Sequence, residues 1–237
     1  MSCIPTKFLI FAPIVSAVLA YFAVNAFMDL GGLPALEVPS TTSAKAKIFV
    51  EAARTQIGVV VGYDTSYFSN GDVPEDRGTC ADVIWRALLP LDYDLRAKLE
   101  EDLKSHPNVY PSNPPQDSNI NFRRVKMLRV FLDKYAQKLT TDVIPNNIEN
   151  LTEWQGGDIV TFDELKTSHL EHIAIVSDRR TSTGVPLLIH NYGEGTQEND
   201  FLLTWPSQIN GHYRLFGPRQ LFYCVDFKFS VIIGSNF

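Results

Sequence analysis

The chain has 237 residues, 45% of them hydrophobic and 20% charged, with a formal net charge of -6. That is enough apolar material for one well-buried core and too little length for two large domains. The acidic balance excludes a protein that lives on nucleic-acid phosphates, and the local run Arg123, Arg124, Lys126 and Arg129 reads as the solvated face of a helix.

Phe8 to Phe27 carries no charge and is close to the length that spans a bilayer. Lys7 precedes it while Asp29 and Glu37 follow, so the N-terminus is expected in the cytoplasm and the rest of the chain outside. Residues 1–28 therefore read as a signal or membrane anchor, with small residues at Val18-Leu19-Ala20 and Val24-Asn25-Ala26 that suit a signal peptidase. Residues 29–44 are rich in Gly, Pro, Ser and Thr and are expected to form a flexible tether.

The folded part is expected over residues 45–216. Ala46, Phe49, Val50, Ala53 and Ile57 recur at helical spacing, and Ile57 to Val61 is β-branched and reads as extended. A second helix carries Ala81, Ile84, Trp85 and Leu88 and stops at Pro90; a third spans Leu95 to Leu103. Ser105 to Asn121, with Pro107, Pro111, Pro114 and Pro115, is expected to be a long surface loop, and Val125, Leu128, Phe131, Leu132 and Tyr135 mark another helix. From Gly156 the pattern changes. Asp158 to Phe162, His172 to Ser177 and Pro186 to Asn191 are strand-like, the last two joined by a polar turn with Gly184. Helices first and an antiparallel sheet after them is an α+β plan. Residues 217–237 form a C-terminal extension with alternating apolar residues.

Cys80 stands where Gly78-Thr79 leads into the second helix. A thiol at a helix N-terminus meets unpaired N–H groups and the positive end of the dipole, which favour the thiolate and can hold an oxyanion. His172 opens one strand and His190 closes the next, so the two are expected to be neighbours, one orienting the other. Two other readings stay open on the residues alone. Cys80 and Cys224 could form a disulfide in an oxidising compartment. His169, His172, His190, His212 and Glu171 offer metal-ligand chemistry, although no HExxH is present and residues three apart on a strand point to opposite faces. Cys3 precedes the apolar run, and no CxxC pairs any of the cysteines.

The runs Gly71-Asp-Val-Pro-Glu-Asp-Arg-Gly-Thr-Cys80-Ala-Asp-Val, Tyr110-Pro111, Asn119-Ile120, Arg123-Arg124-Val125 and Gly157-Asp158-Ile159-Val160 resemble a bacterial domain-of-unknown-function family, number 1287. So do His172-Ile-Ala-Ile-Val-Ser-Asp178, His190-Asn-Tyr-Gly193-Glu-Gly195 and Gly211-His212-Tyr213-Arg214. That family looks like a branch of the NlpC-type superfamily of papain-like cysteine peptidases and amidases. The resemblance implies a papain-like (NlpC-type) fold with N-terminal helices packed on a small antiparallel sheet, and Cys80, His172 and His190 as catalytic residues. Asp76, Arg77, Asn191 and His212 belong to the shared motifs and are expected to bind substrate; no metal or other cofactor is expected. Where the family commonly has Asp-His before the Arg-Arg pair, this chain has Asn121-Phe122.

The expected activity is hydrolysis of an amide bond, in cell-wall peptide, by a domain exported across the bacterial inner membrane and held at its surface by the N-terminal segment. Peptidoglycan or another envelope peptide is the expected partner, with no nucleic acid. A catalytically silent envelope protein that binds wall peptide in the same cleft is the alternative.

Overall fold

The computed structural model describes residues 35–163 and 171–217. The N-terminal apolar segment with Cys3, the residue His169, and the C-terminal extension beyond Gly217, with Cys224, lie outside the described residues. No helix among the described residues is long and apolar enough to cross a membrane.

In chain order the elements are α1 (Ala44–Arg54), β1 (Gly62–Tyr63), β2 (Arg77–Gly78), α2 (Cys80–Leu88), α3 (Leu95–Ser105), α4 (Val125–Tyr135), β3 (Gln137–Lys138), α5 (Ile148–Thr152), β4 (Ile159–Phe162), β5 (His172–Arg180), β6 (Pro186–Asn191), β7 (Thr196–Asn199) and β8 (Ile209–Arg214). Strands β3 to β8 form one six-stranded sheet in the order β3-β8-β4-β5-β6-β7, antiparallel throughout. The fold is mixed α+β, with the larger helices ahead of the sheet in sequence. The β5–β6 hairpin falls where the polar turn before Pro186 predicts it.

Helix α1 begins because the Ser43 side chain accepts from the Ala46 N–H, and it buries Ala46, Phe49, Val50 and Ala53. Ile57 to Val61, expected as extended chain, is instead a turn. The N–H of Ile57 donates to the Arg54 carbonyl and that of Val60 to Gln56, while Gly58 takes φ +79. The donors of Ile57, Val59 and Val60 are spent locally and only Val61 donates to a distant carbonyl, that of Asp76, so these β-branched residues do not make a strand here. Only Val60 of the apolar residues turns inward; Ile57, Val59 and Val61 are exposed.

The expected tether also differs from Ala35 onward. Leu36 and Val38 pack against the far face of the sheet, the Leu36 N–H donates to the Ser182 carbonyl (3.0 Å), and the Thr41 N–H donates to Gln155 Oε1 (2.8 Å). Two apolar side chains at alternate positions are enough to lay this stretch on the domain.

The core lies on both faces of the sheet. On one face Ile159, Ile173, Ile175 and Ile189 meet the helices through Phe49, Ala81, Ile84, Leu128 and Phe131. On the other, Val160, Phe162, Ala174, Val176 and Leu188 meet Leu151, Trp154 and Leu202. Strand β5 is central to both, with Ile173 and Ile175 on the helical face and Ala174 and Val176 on the far one.

Helix α2 is locked by a buried ion pair. Arg123 Nε lies 3.1 Å from Asp82, with side chains 3% and 0% exposed. The other guanidinium nitrogens donate to the Ser66 and Asp64 carbonyls, each at 2.6 Å. Removing one partner strands a buried charge, at a cost of about 3–5 kcal/mol. Asp82→Ala is therefore expected to lower unfolding free energy in urea by that amount. A loss below about 1 kcal/mol would show that the pair does not hold the helix.

Candidate active site

Cys80 is the first residue of α2. The Thr79 N–H (2.6 Å) and hydroxyl (3.1 Å) both donate to Asp82 Oδ2, so the carboxylate folds the chain back at the helix start. A Cβ on Gly78 would come within 2.8 Å of Asp82 Oδ2, and only glycine admits that closeness. From the sheet, Asn191 Nδ2 donates to the carbonyls of Gly62 (3.0 Å) and Gly78 (2.9 Å), tying the β1–β2 pair to the end of β6.

The sulfur sits in the wall of a cavity of about 320 Å³, with Tyr63, Thr65, Thr79, Arg123, Arg124 and Glu171 among its neighbours there. The Ile173 and Ala81 backbone N–H groups and the Tyr63 hydroxyl face the thiol and favour its anion. Burial outweighs them and, with Asp82 adding to it, pushes the thiol up to about 11. A helix-start cysteine is expected from sequence to be acidic, and here desolvation reverses that sign. Burial and the neighbouring thiol also push the Tyr63 hydroxyl well above the usual phenol range.

His172 and His190 meet across β5 and β6. His172 Nε2 lies 2.6 Å from His190 Nδ1, and His190 Nε2 lies 3.0 Å from Asn199 Oδ1. With the Asn199 oxygen turned to the ring, His190 donates from Nε2, its Nδ1 accepts, and His172 must carry its proton on Nε2. That leaves His172 Nδ1 bare, a lone pair free to take a proton. Trp205 stacks on His172 with centroids 4.0 Å apart, and Phe162 lies beside it. Burial, then the charge of His190, holds His172 well below the usual histidine value; burial takes His190 down to about 4 against the Asn199 hydrogen bond. Both rings are neutral at pH 7.

The strand alternation decides what these groups can do together. His172 shares its face with Phe162 and Trp205, whereas Cys80 packs with Ile173 and Ile175 on the helical face. Among the described residues no hydrogen bond joins Cys80 to His172, although the Ile173 N–H at the thiol makes His172 the next residue along. The structure thus brings His172 to His190 and sets Cys80 at the start of the same strand.

The four residues expected to bind substrate lie outside the cavity wall. Asn191 is buried and clamps the loop before Cys80. His212 is buried under Trp154, stacked at 3.7 Å, with Nδ1 at the Thr140 carbonyl (2.7 Å) and Nε2 at Asp158 (3.1 Å). Arg214 holds the same Asp158 at 2.7 and 2.8 Å, so the Gly-Asp and Gly-His-Tyr-Arg motifs form one buried network. Asp76 and Arg77 pair with each other on the surface. Among the described residues no group of three His, Cys, Asp or Glu side chains converges as a metal site. Asn199, Trp205 and Tyr63 act at the candidate site without a signal in the sequence, because their approach depends on how distant strands and loops pair.

The architecture and these groups define a mixed α+β protein with a buried thiol and a histidine pair on opposite faces of one central strand. The chain belongs to the family described as Domain of unknown function (DUF1287), whose model matches residues 50–215. It is 38% identical over 173 residues to the Uncharacterized protein YijF of Escherichia coli (strain K12), covering 70% of this chain and 80% of that protein. No solved structure matches the chain.

Two outcomes are expected from these charge states. Iodoacetamide is expected to alkylate Cys80 slowly at pH 7 in the folded protein, with a rate that climbs with pH toward about 11. Fast alkylation at neutral pH would contradict the buried, protonated thiol. The histidines add an acid sensitivity. Their folded values lie below that of the unfolded chain, so their stabilisation is complete above about pH 6.5 and is lost as pH falls through the folded values. For His190, from 6.5 to about 4, this amounts to roughly 3 kcal/mol. Urea unfolding at pH 7.5 and pH 4 is expected to show a smaller acid loss in His190→Gln than in the parent; equal losses would contradict the buried neutral ring.

Proposed function

We propose that the protein is a cysteine hydrolase with a papain-like, NlpC-type fold that cleaves an amide bond in cell-wall peptide outside the cytoplasm. The observation that carries this reading is the placement of Cys80. Its thiol opens a helix, lines a cavity, and touches the strand residue next to a histidine whose Nδ1 is bare. The family motifs around Cys80, His172 and His190 support it, and the charge-free N-terminal run supports export and anchoring.

This mechanism requires His172, the first residue of β5, to turn toward the helical face when peptide fills the cavity, because at rest Cys80 lies across the strand from it. His172 Nδ1 takes the thiol proton while the sulfur attacks the carbonyl carbon. The N–H groups at the start of α2 stabilise the oxyanion. The C–N bond breaks as His172 returns the proton to the leaving amine, and a thioester remains on Cys80. Water then attacks the thioester, His172 takes its proton, and the acid product leaves with the thiol restored. His190, fixed by Asn199, keeps His172 in the tautomer this requires. With a protonated thiol and a neutral imidazole at rest, the step is general-base catalysis without a preformed thiolate–imidazolium pair.

A second reading rests on a specific observation: the thiol is buried with its pKa raised to about 11, and Cys80 and His172 occupy opposite faces of β5. In that reading the cavity binds wall peptide without turnover. Digestion of purified sacculi separates the two. The parent protein is expected to release soluble peptides or muropeptides, and Cys80→Ala and His172→Ala to reduce release at least a hundredfold, within the range expected for losing a nucleophile or base. Undiminished digestion by Cys80→Ala would sink the hydrolase; binding of sacculi with no release by the parent would favour the silent protein.

A further inference from the structure

Arg123 and Arg124 are adjacent in sequence and have different tasks. Arg123 is spent on the fold, with Nε on Asp82 and its remaining nitrogens on the Ser66 and Asp64 carbonyls. Arg124 precedes α4 and lines the cavity that holds Cys80. Its Nη1 donates to the Pro115 carbonyl (2.7 Å) and approaches Asn121 Oδ1 at 3.4 Å. The guanidinium therefore reaches the loop whose Pro111, Asn113 and Pro114 also line the cavity. Both acceptors are neutral. Among the described residues no carboxylate pairs with Arg124, and its Nε and Nη2 donate to no protein group.

Among the described residues, the other charged groups of the wall are engaged with partners of their own. Glu171, the carboxylate in the wall, is engaged by Arg129 at 3.2 Å, and the Asp82 charge is shared with Arg123. Helix α4 has no acidic residue in its first turn. A guanidinium positioned by one nitrogen, with the rest of its planar fork open, suits a carboxylate, which it can grip with two parallel N–H bonds.

We infer that the cavity beside Cys80 selects its peptide by a free carboxylate, held by Arg124. The inference rests on the proposed hydrolase only for what happens after binding; the recognition stands without turnover. Arg124 is on this account a specificity residue, which anchors the peptide while the chemistry belongs to Cys80 and His172.

The test uses the full chain with Cys80→Ser, which blocks turnover during titration. The probes are the stem tripeptide L-alanyl-γ-D-glutamyl-meso-diaminopimelic acid and its fully amidated form, compared by calorimetry. The acid is expected to bind roughly tenfold or more tighter than the amide, the scale of one charge-assisted hydrogen bond, and less tightly as salt rises. Adding Arg124→Gln is expected to remove the preference, and Arg124→Lys to restore part of it. Equal binding of acid and amide, a preference that survives Arg124→Gln, or no binding of either would overturn the inference. Turnover by the Cys80-containing protein is read separately. Preferential binding without cleavage sinks the hydrolase and leaves the recognition standing; equal cleavage of acid and amide does the reverse.

Discussion

Strand β5 is buried on both faces from His172 to Ser177, and the period of two along a strand then sets which face each of these side chains enters. Ile173 and Ile175 go to the helices, and His172, Ala174 and Val176 to the far face. Cys80 enters the same strand from the helical side, at the Ile173 N–H. This fixes the character of the candidate site: the nucleophile and its proposed base approach one short stretch of backbone from opposite sides. A one-residue slip of β5 would exchange the faces, bringing His172 to the thiol and an isoleucine to His190.

Both halves of the site are dry, and their charge states follow from that. A lone thiolate or imidazolium in such surroundings loses more hydration than the available N–H groups return. The resting protein therefore holds a protonated sulfur and two neutral rings. A buried ionic group that the fold does keep at the site is the Asp82–Arg123 pair, which is charge-balanced and hydrogen-bonded on both sides. It anchors the first turn of α2, while Asn191 anchors the residue two before Cys80 from the sheet. The thiol is thus held on two sides by groups that carry no substrate.

Much of the fold was legible because its signals are local. The helical spacing of Ala46, Phe49, Val50 and Ala53, the proline after α2, and the apolar runs at β4, β5 and β6 each specify an element from neighbouring residues. Strands β7 and β8 were not, since Thr196 to Asn199 and Ile209 to Arg214 are polar or glycine-bearing and become strands by pairing with distant partners. The same holds at the site. His172 and His190 could be placed side by side from the hairpin alone, and their 2.6 Å approach follows from it. The side of β5 that faces α2 depends on tertiary packing, as does the burial that raises the thiol. His212 looked like a cleft residue by motif, and only the stacking of Trp154 and the Asp158–Arg214 pairing show it to be core.

The central claim is that Cys80 forms a covalent bond to its substrate during turnover, and an acyl adduct is its most direct trace. The protein would be mixed with wall peptide, quenched in acid within the first turnover, and mapped by mass spectrometry. The account predicts a peptide containing Cys80 heavier by the acyl fragment, absent in Cys80→Ala. Accumulating product with Cys80 unmodified at every quench time, and cleavage retained in Cys80→Ala, would contradict it.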